Sequence, residues 1–129
     1  LITIASTDDH IQAVADAQGK SYNDVFDSEI KNATRLMNQQ IQHAVRDDLS
    51  IIWDQTNTGR KSRKGKLLQV PSHYHKTAVF LGTPSEQELN RRLASRTGKV
   101  IPPQVVRSMI ANLELPSREE GFDDIIWAN

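Results

Sequence analysis

The chain has no cysteine, and this absence narrows the classes of protein to which it can belong. Without cysteine among its 129 residues, it forms no disulfide and offers no thiolate ligand to a metal ion. Proteins of reducing compartments show this composition, so we expect a cytoplasmic location, in a viral or bacterial host cell. A chain of this length is long enough to bury a hydrophobic core, so we expect a single domain over residues 1–129.

Long apolar runs are also missing. No run approaches the roughly 20 residues that a membrane-spanning helix needs, and no signal-peptide pattern is present, so we expect a soluble protein with no membrane partner. The sequence starts without Met, in what reads as the middle of a strand. We therefore expect a fragment or a processed product of a longer protein.

Acidic residues are absent from residues 55–85, although the formal net charge of the whole chain is zero. Cations concentrate in what we call the basic segment, residues 59–70, where they are Arg60, Lys61, Arg63, Lys64 and Lys66. Two interpretations stay open. The segment is either a surface that meets an anionic ligand such as nucleic acid, or the solvated face of a helix.

Strand and helix patterns alternate along the chain. We predict strands at residues 1–6, 50–54, 76–81 and 124–127, and helices at residues 21–48, 59–70, 84–96 and 103–114. In the third helix, Thr83 is the expected N-cap, Glu86 completes a capping box and Gly98 ends the helix. The alternation predicts an α/β fold with a largely parallel sheet and helices on its faces.

Acidic side chains lie at the ends of two of the predicted strands. Asp8 and Asp9 come after the first strand, and Asp54 is the last residue of the second, the position of the magnesium-organising acid in nucleotide-using folds. Asp8 could accept a proton from an attacking hydroxyl if the site brings the two within hydrogen-bond reach. The alternative for Asp8 and for Asp54 is a structural role as a helix cap.

Two arginines, Arg92 and Arg96, are predicted on one face of a helix end, where guanidinium groups suit phosphate oxygens. The alternative is favourable charge at the helix C-terminus. A phosphate-binding loop is missing: Gly59 and Gly65 are too far apart for a P-loop, and Leu67 stands where Ser or Thr is required. His73, Tyr74 and His75 are predicted to be structural.

Several segments, in this order, resemble the polynucleotide kinase branch of the P-loop phosphotransferases, from Ile2 to about Trp127. They are Ser6-Thr7-Asp8-Asp9; Asp54-Gln55-Thr56-Asn57 with Arg60; Arg92, Arg96, Gly98, Lys99 and Pro102; and Pro116, Glu120, Gly121, Phe122 and Asp123. The chain departs from the family in having Ile11 where polynucleotide kinases have an arginine. The family's P-loop and the strand before it would precede Leu1.

The resemblance implies a P-loop NTPase-like three-layer sandwich that lacks its first strand and P-loop, completed by an upstream segment or by another chain. It implies phosphoryl transfer from ATP to a 5′-hydroxyl of nucleic acid. Asp8 would be the general base, Arg96 would stabilise phosphate charge, and Asp54 would organise Mg²⁺ indirectly, through water. Asp9, Arg60, Arg63 and Arg92 would contact substrate or phosphate. The alternative function is a non-catalytic module that binds nucleic acid or protein and keeps the kinase fold.

Overall fold

The computed structural model describes residues 1–128, which fold into parallel strands and helices. The elements are β1 (Ile2–Ala5), α1 (Thr7–Gln18), α2 (Tyr22–Arg46), β2 (Ser50–Trp53), α3 (Arg60–Leu67), β3 (Thr77–Leu81), α4 (Glu86–Ala94), α5 (Pro103–Ala111), a short 3-10 helix (Arg118–Glu120) and β4 (Asp124–Ala128). These elements group into two compact units. Unit 1 contains residues 1–56 and 96–100, and unit 2 contains residues 57–95 and 101–129. The single domain remains a prediction, which this grouping neither confirms nor contradicts.

Unit 1 is built on a two-stranded parallel sheet, in which Ile2 of β1 is opposite Ser50 of β2 and Ala5 is opposite Trp53. One face of this sheet packs on α2, because Ala5 forms a buried cluster with Met37 and Ile41. Side chains alternate along a strand, so the other face presents apolar residues to solvent. These are Ile2, Ile4 and Ile52, whose exposed fractions are 64%, 54% and 51%.

Helix α1 was not predicted, although the sequence carries its start and stop signals. Ser6 is the N-cap and accepts a hydrogen bond from the Asp9 amide, and Gly19 ends the helix in a left-handed conformation. The predicted alternative role of Asp8 as a helix cap is therefore wrong. Ile11 and Ala15 pack on α2, which gives unit 1 a second buried cluster.

Unit 2 is also built on two parallel strands, with Thr77 of β3 opposite Asp124 of β4 and Leu81 opposite Ala128. Phe80 and Trp127 contact edge to face, with ring centroids 5.5 Å apart. Within residues 1–128, all of the buried hydrophobic side chains lie between Ala5 and Ala44, so unit 2 has none. Helices α4 and α5 likewise bury no residue.

The predicted helix boundaries are partly wrong. The predicted capping box at Thr83 does not form: the N-cap of α4 is Ser85, which accepts a hydrogen bond from the Glu88 amide. This helix ends at Ala94, so Gly98 does not terminate it and Arg96 lies outside it. The basic helix α3 ends at Leu67, earlier than predicted. In contrast, the long α2 was predicted to within two residues at its C-terminal end.

The predicted α/β class with parallel strands is confirmed. The three-layer sandwich remains a prediction, because each of the two sheets has only two strands in the part of the chain that the structure describes. Over the same residues, no helix combines the length and the apolar character that crossing a membrane requires.

Candidate functional site

The carboxyl ends of β1 and β2 bring the two predicted acidic positions to the same edge of the sheet in unit 1. The Asp54 amide donates a hydrogen bond to the Ala5 carbonyl at 2.8 Å, which continues the strand pairing by one residue. One residue further, the Gln55 side chain donates to Thr7 Oγ1 at 3.2 Å. Ligands of parallel α/β sheets bind at this edge. Asp8, in the first turn of α1, and the exposed Asp54 therefore lie just beyond the carboxyl ends of β1 and β2, as predicted.

Two donors hold the Asp8 carboxylate. The Tyr22 hydroxyl donates to Oδ1 at 2.5 Å, and Lys99 Nζ donates to Oδ2 at 2.8 Å. The Lys99 ammonium also lies 4.5 Å from the centroid of the Tyr22 ring, within range of a cation–π contact. Asp8 keeps 56% of its side chain exposed, so the carboxylate is fixed by protein on one side and open to solvent on the other.

These contacts determine the protonation states of Asp8 and Tyr22. Burial by itself would raise the pKa of Asp8, but the hydrogen bonds from Lys99 and Tyr22 and the charges of Lys99 and Arg96 outweigh it, so the pKa lies below its usual value. Burial and the hydrogen bond to Asp8 raise the pKa of the Tyr22 hydroxyl. At neutral pH Asp8 is therefore an ionised carboxylate and Tyr22 a neutral phenol.

Asp9 faces a different surface from Asp8. It lines an open groove of about 440 Å³, together with Ser6 and His10 and with residues of α2 that include Gln40 and His43. Successive residues of a helix point in directions about 100° apart, so the two neighbouring acids cannot share one side of α1. The role of Asp9 as a substrate contact remains a prediction, and it is separate from the Tyr22 and Lys99 cluster.

Arg96 is exposed and belongs to the short segment of residues 96–100 that groups with unit 1. Its positive charge contributes to the lowered pKa of Asp8. Arg92 lies on α4 in unit 2, so the predicted pairing of the two arginines on one helix face is wrong. Glu88 accepts hydrogen bonds from Arg91 and from Arg92 Nε, and these contacts lower the pKa of Glu88 to about 2.

Arg63, a predicted phosphate contact, is nearly buried in unit 2 and forms hydrogen bonds there. Its side chain is 7% exposed, and its guanidinium donates to both carboxylate oxygens of Glu120, from Nε at 2.8 Å and from Nη2 at 3.1 Å. A third bond runs from Nη1 to the Asn57 carbonyl at 2.9 Å. Arg63 thus ties α3 to the loop before it and to the 3-10 helix, and its phosphate role stays a prediction that the structure gives no reason to prefer.

The other cations of the basic segment differ in their contacts. Arg60 is half exposed, and its guanidinium donates to Ser117 Oγ at 3.2 Å and lies 4.0 Å from both Glu114 and Glu120. Lys66 donates to the side-chain oxygen of Asn57, and burial lowers its pKa. Lys61 and Lys64 are exposed on α3. These two lysines are therefore the cations of the segment that are best placed to meet a polyanion.

The residues present fit Mg²⁺ in part and do not supply a loop for the phosphates of ATP. Among residues 1–128, no three His, Cys, Asp or Glu side chains form a group that could hold a metal ion. An exposed carboxylate such as Asp54 is compatible with Mg²⁺, which is commonly held by one or two carboxylates together with waters and phosphate oxygens. The sequence contains no Gly-x-x-x-x-Gly-Lys-Ser/Thr element for the phosphates of ATP.

Tyr22 was not predicted as a site residue, and Lys99 was noted only as part of a motif. Their contacts with Asp8 join residues separated by 14 and 91 positions in the chain. Tyr22 could have been identified as a site residue only if α1 had been predicted. The sequence feature that indicates α1 is its pair of caps, Ser6 and Gly19. Lys99 directly follows Gly98, which has a left-handed conformation. A glycine at that position was the sequence feature that could have indicated a fixed turn before Lys99.

Parallel strands joined through helices, with acids at the carboxyl edge of one strand pair, are the arrangement of α/β proteins that bind ligands beyond the carboxyl ends of their strands. A family model described as the AAA domain matches residues 2–116. Because this match spans most of the chain, the chain belongs to that family, which is a P-loop NTPase-like kinase family. The family includes kinases, and P-loop domains of this type generally bind nucleotide and Mg²⁺. No solved structure matches the chain.

Proposed function

We propose that this protein transfers a phosphoryl group from ATP to a 5′-hydroxyl of nucleic acid, in a form that includes a P-loop. The observation that carries the proposal is the Asp8 carboxylate at the strand edge, held by Tyr22 at 2.5 Å and Lys99 at 2.8 Å and open on its remaining side. A carboxylate fixed in this way can accept a hydrogen bond from an acceptor hydroxyl and orient it for attack.

Positive charge near that carboxylate supports the same proposal. Arg96 lies in the segment that carries Lys99, and its charge acts on Asp8. In phosphoryl transfer, fixed cations stabilise the charge on the equatorial phosphate oxygens. In this proposal Arg96 supplies that charge and Asp54 takes part in holding Mg²⁺, which neutralises phosphate charge when it is bound. Arg92, Arg60 and Asp9 are proposed contacts to phosphate or substrate.

We also propose that a further strand and helix, from an upstream segment or from another chain, complete the sheet. Parallel sheets are normally covered on both faces. The sheet of unit 1 leaves Ile2, Ile4 and Ile52 exposed, and β3 and β4 of unit 2 leave Val79, Leu81 and Ile126 exposed. Unit 2, moreover, has no buried hydrophobic residue among those described. Added layers would bury this apolar surface and supply the P-loop.

The decisive test is Asp8→Asn in a form of the protein that carries a P-loop, assayed for phosphate transfer to an oligonucleotide with a 5′-hydroxyl. We expect transfer to fall at least about a hundredfold, the usual range for a general base, while ATP affinity stays within about twofold. Asp27→Asn, on an exposed position of α2, is the matched control. Equal transfer by the Asp8→Asn variant and the parent would remove Asp8 from the mechanism.

A second candidate is a non-catalytic module that binds nucleic acid or protein and keeps the kinase fold. It is favoured by one observation: both oxygens of Asp8 already have donors, as they would in a purely structural ion pair. This candidate predicts that the P-loop form transfers no phosphate to any hydroxyl, while the Asp8→Asn change lowers its stability. The same assay, combined with an unfolding measurement, distinguishes the two functions.

A further inference from the structure

One residue in the first turn of α2, Asn23, forms hydrogen bonds with both Gly98 and Val100. The Asn23 amide donates to the Gly98 carbonyl at 3.1 Å. Its side chain then donates to the Val100 carbonyl at 3.0 Å and accepts from the Val100 amide at 2.9 Å. One carboxamide thus satisfies both backbone polar groups of Val100, as a neighbouring strand would, across a separation of 77 positions in the chain.

Gly98 makes this close approach possible. Its φ angle is +74°, a conformation that side chains other than glycine rarely adopt. A Cβ added here would lie 3.0 Å from Ser21 Cβ, in the residue that caps α2. Both the backbone conformation and the packing therefore require glycine, and the turn that precedes Lys99 is fixed in its position on α2.

Lys99 lies between these two bound residues, and its side chain extends to the site. Its ammonium is 2.8 Å from Asp8 Oδ2 and 4.5 Å from the centroid of the Tyr22 ring, and only 24% of its side chain is exposed. Tyr22 precedes Asn23 in α2 and donates to the other oxygen of Asp8. The same turn of α2 therefore holds the segment through Asn23 and the carboxylate through Tyr22.

We propose that residues 98–100 form a latch on the first turn of α2, and that Tyr22 and Lys99 are positioning residues that orient the Asp8 carboxylate toward an acceptor hydroxyl. The positioning half of this inference rests on the proposed phosphotransferase function. Each carboxylate oxygen has two acceptor sites. Tyr22 and Lys99 occupy one on each oxygen, so a site remains for the hydroxyl and the rotation of the carboxylate is restricted.

The chemical step leaves Tyr22 and Lys99 unchanged. The acceptor O–H bond breaks and its proton passes to Asp8, the acceptor oxygen forms a bond to the γ-phosphorus, and the bond from that phosphorus to the β-phosphate oxygen breaks, so that ADP leaves. The two positioning residues act by keeping Asp8 ionised and aligned before the hydroxyl arrives. The latch keeps Lys99 in place.

The latch is tested on the chain itself by amide hydrogen exchange at Val100. Asn23→Ala removes both side-chain bonds, so exchange at Val100 should become about five- to tenfold faster, as expected for the loss of about one net hydrogen bond. Gln42→Ala, on an exposed position of α2, is the control. The Leu49 amide, which donates to the Ala44 carbonyl, is an internal reference for intact folding. Unchanged exchange at Val100 in the Asn23→Ala variant would refute the latch.

The positioning role is tested by titrating the Asp8 carboxyl carbon by NMR. Tyr22→Phe and Lys99→Met should each raise the pKa of Asp8 toward its ordinary value, whereas Tyr74→Phe and Lys31→Met should leave it unchanged. In the P-loop form, both site variants should lower kcat about tenfold or more with little change in KM for ATP, and Lys99→Arg should recover part of the loss. Parental kcat in both site variants would refute the positioning role.

These readouts separate the inference from the function on which it rests. Full transfer activity in Asp8→Asn would refute the proposed mechanism and, with it, the positioning role. The latch is tested by hydrogen exchange at the Val100 amide alone, because that measurement needs neither nucleotide nor acceptor. Slow parental exchange at Val100 that quickens in Asn23→Ala supports the latch whatever the kinase assay gives.

Discussion

Replacing Arg63 should destabilise unit 2 and leave phosphate binding nearly unchanged. The Arg63 and Glu120 side chains are 7% and 9% exposed, and two hydrogen bonds of 2.8 and 3.1 Å join them. Arg63→Met removes the cation and its bond to the Asn57 carbonyl while keeping much of the apolar stem. The nearly buried Glu120 carboxylate then loses both hydrogen bonds from Arg63, and the Arg60 guanidinium, 4.0 Å away, remains as a weaker charge partner.

The expected loss in the free energy of unfolding is about 3 kcal/mol, the lower end of the range for breaking a buried ion pair. That is a large part of the 5–15 kcal/mol by which a typical domain is stable. The double variant Arg63→Met/Glu120→Leu should recover most of the loss, since an apolar pair leaves no buried charge unpaired. Recovery would show that the Glu120 carboxylate, once it has lost the bonds from Arg63, is the main cause of the destabilisation.

The pH dependence follows from Glu120. Burial alone would raise its pKa, but the bonds from Arg63 and the Ser117 amide and the charges of Arg63 and Arg60 outweigh it and lower the pKa. A lowered folded-state pKa means that the stabilisation is fully present above the unfolded value of about 4.3, and is lost as pH falls through the folded value. The difference between parent and Arg63→Met should therefore shrink in acid.

Urea unfolding followed by Trp127 fluorescence, in a Trp53→Phe background, measures this effect. The two tryptophans of the chain lie one in each unit, so Trp127 alone reports on unit 2. Lys64→Met, an exposed cation on α3, is the matched control. An unfolding free energy in Arg63→Met within about 0.5 kcal/mol of the parent, joined to weaker oligonucleotide binding, would show that the ion pair is incidental and that Arg63 meets phosphate.

Three further outcomes are expected. Neutralising Lys61 and Lys64 should weaken nucleic-acid binding and flatten its salt dependence, whereas neutralising Lys20 and Lys31 should not; an unchanged salt slope would rule out α3 as the contact surface. The chain of residues 1–129 alone should show no micromolar ATP affinity by calorimetry, because it has no P-loop to supply backbone donors, and measurable turnover would reveal a nucleotide site of another kind. In the P-loop form, transfer should change little between about pH 8 and about pH 5, because the lowered pKa of Asp8 keeps it ionised; a fall with a midpoint near pH 6 or 7 would point to a different base.

Patterns that depend on near neighbours in sequence were predictable. The spacing of Val25, Met37 and Ile41 marks one apolar face, and α2 forms with that face buried. The apolar runs at residues 50–53 and 77–81 form β2 and β3, which pair in parallel with β1 and β4 respectively. Helix α1 was not predicted, although its caps at Ser6 and Gly19 depend only on neighbouring residues in the sequence.

Contacts between distant residues were not predictable from one sequence. The basic segment gives no sign that Arg63 is buried and its neighbour Lys64 exposed, because that difference depends on the position of Glu120. The end of α4 at Ala94 likewise separates Arg92 from Arg96, although their spacing suits a single helix face. Charge along a sequence indicates a kind of ligand, but tertiary contacts decide which cations remain available.

In the proposed mechanism, the environment of Asp8 suits a base that orients the hydroxyl rather than a strongly basic one. Enzymes that need a strong carboxylate base raise its pKa by burial, whereas here two donors and the charge of Arg96 lower it. Phosphoryl transfer passes through a loose transition state in which the attacking hydroxyl is little changed, so alignment contributes more than basicity. An ionised carboxylate held from one side by Tyr22 and Lys99 suits that requirement, because it stays ready to accept the hydroxyl proton late in the step.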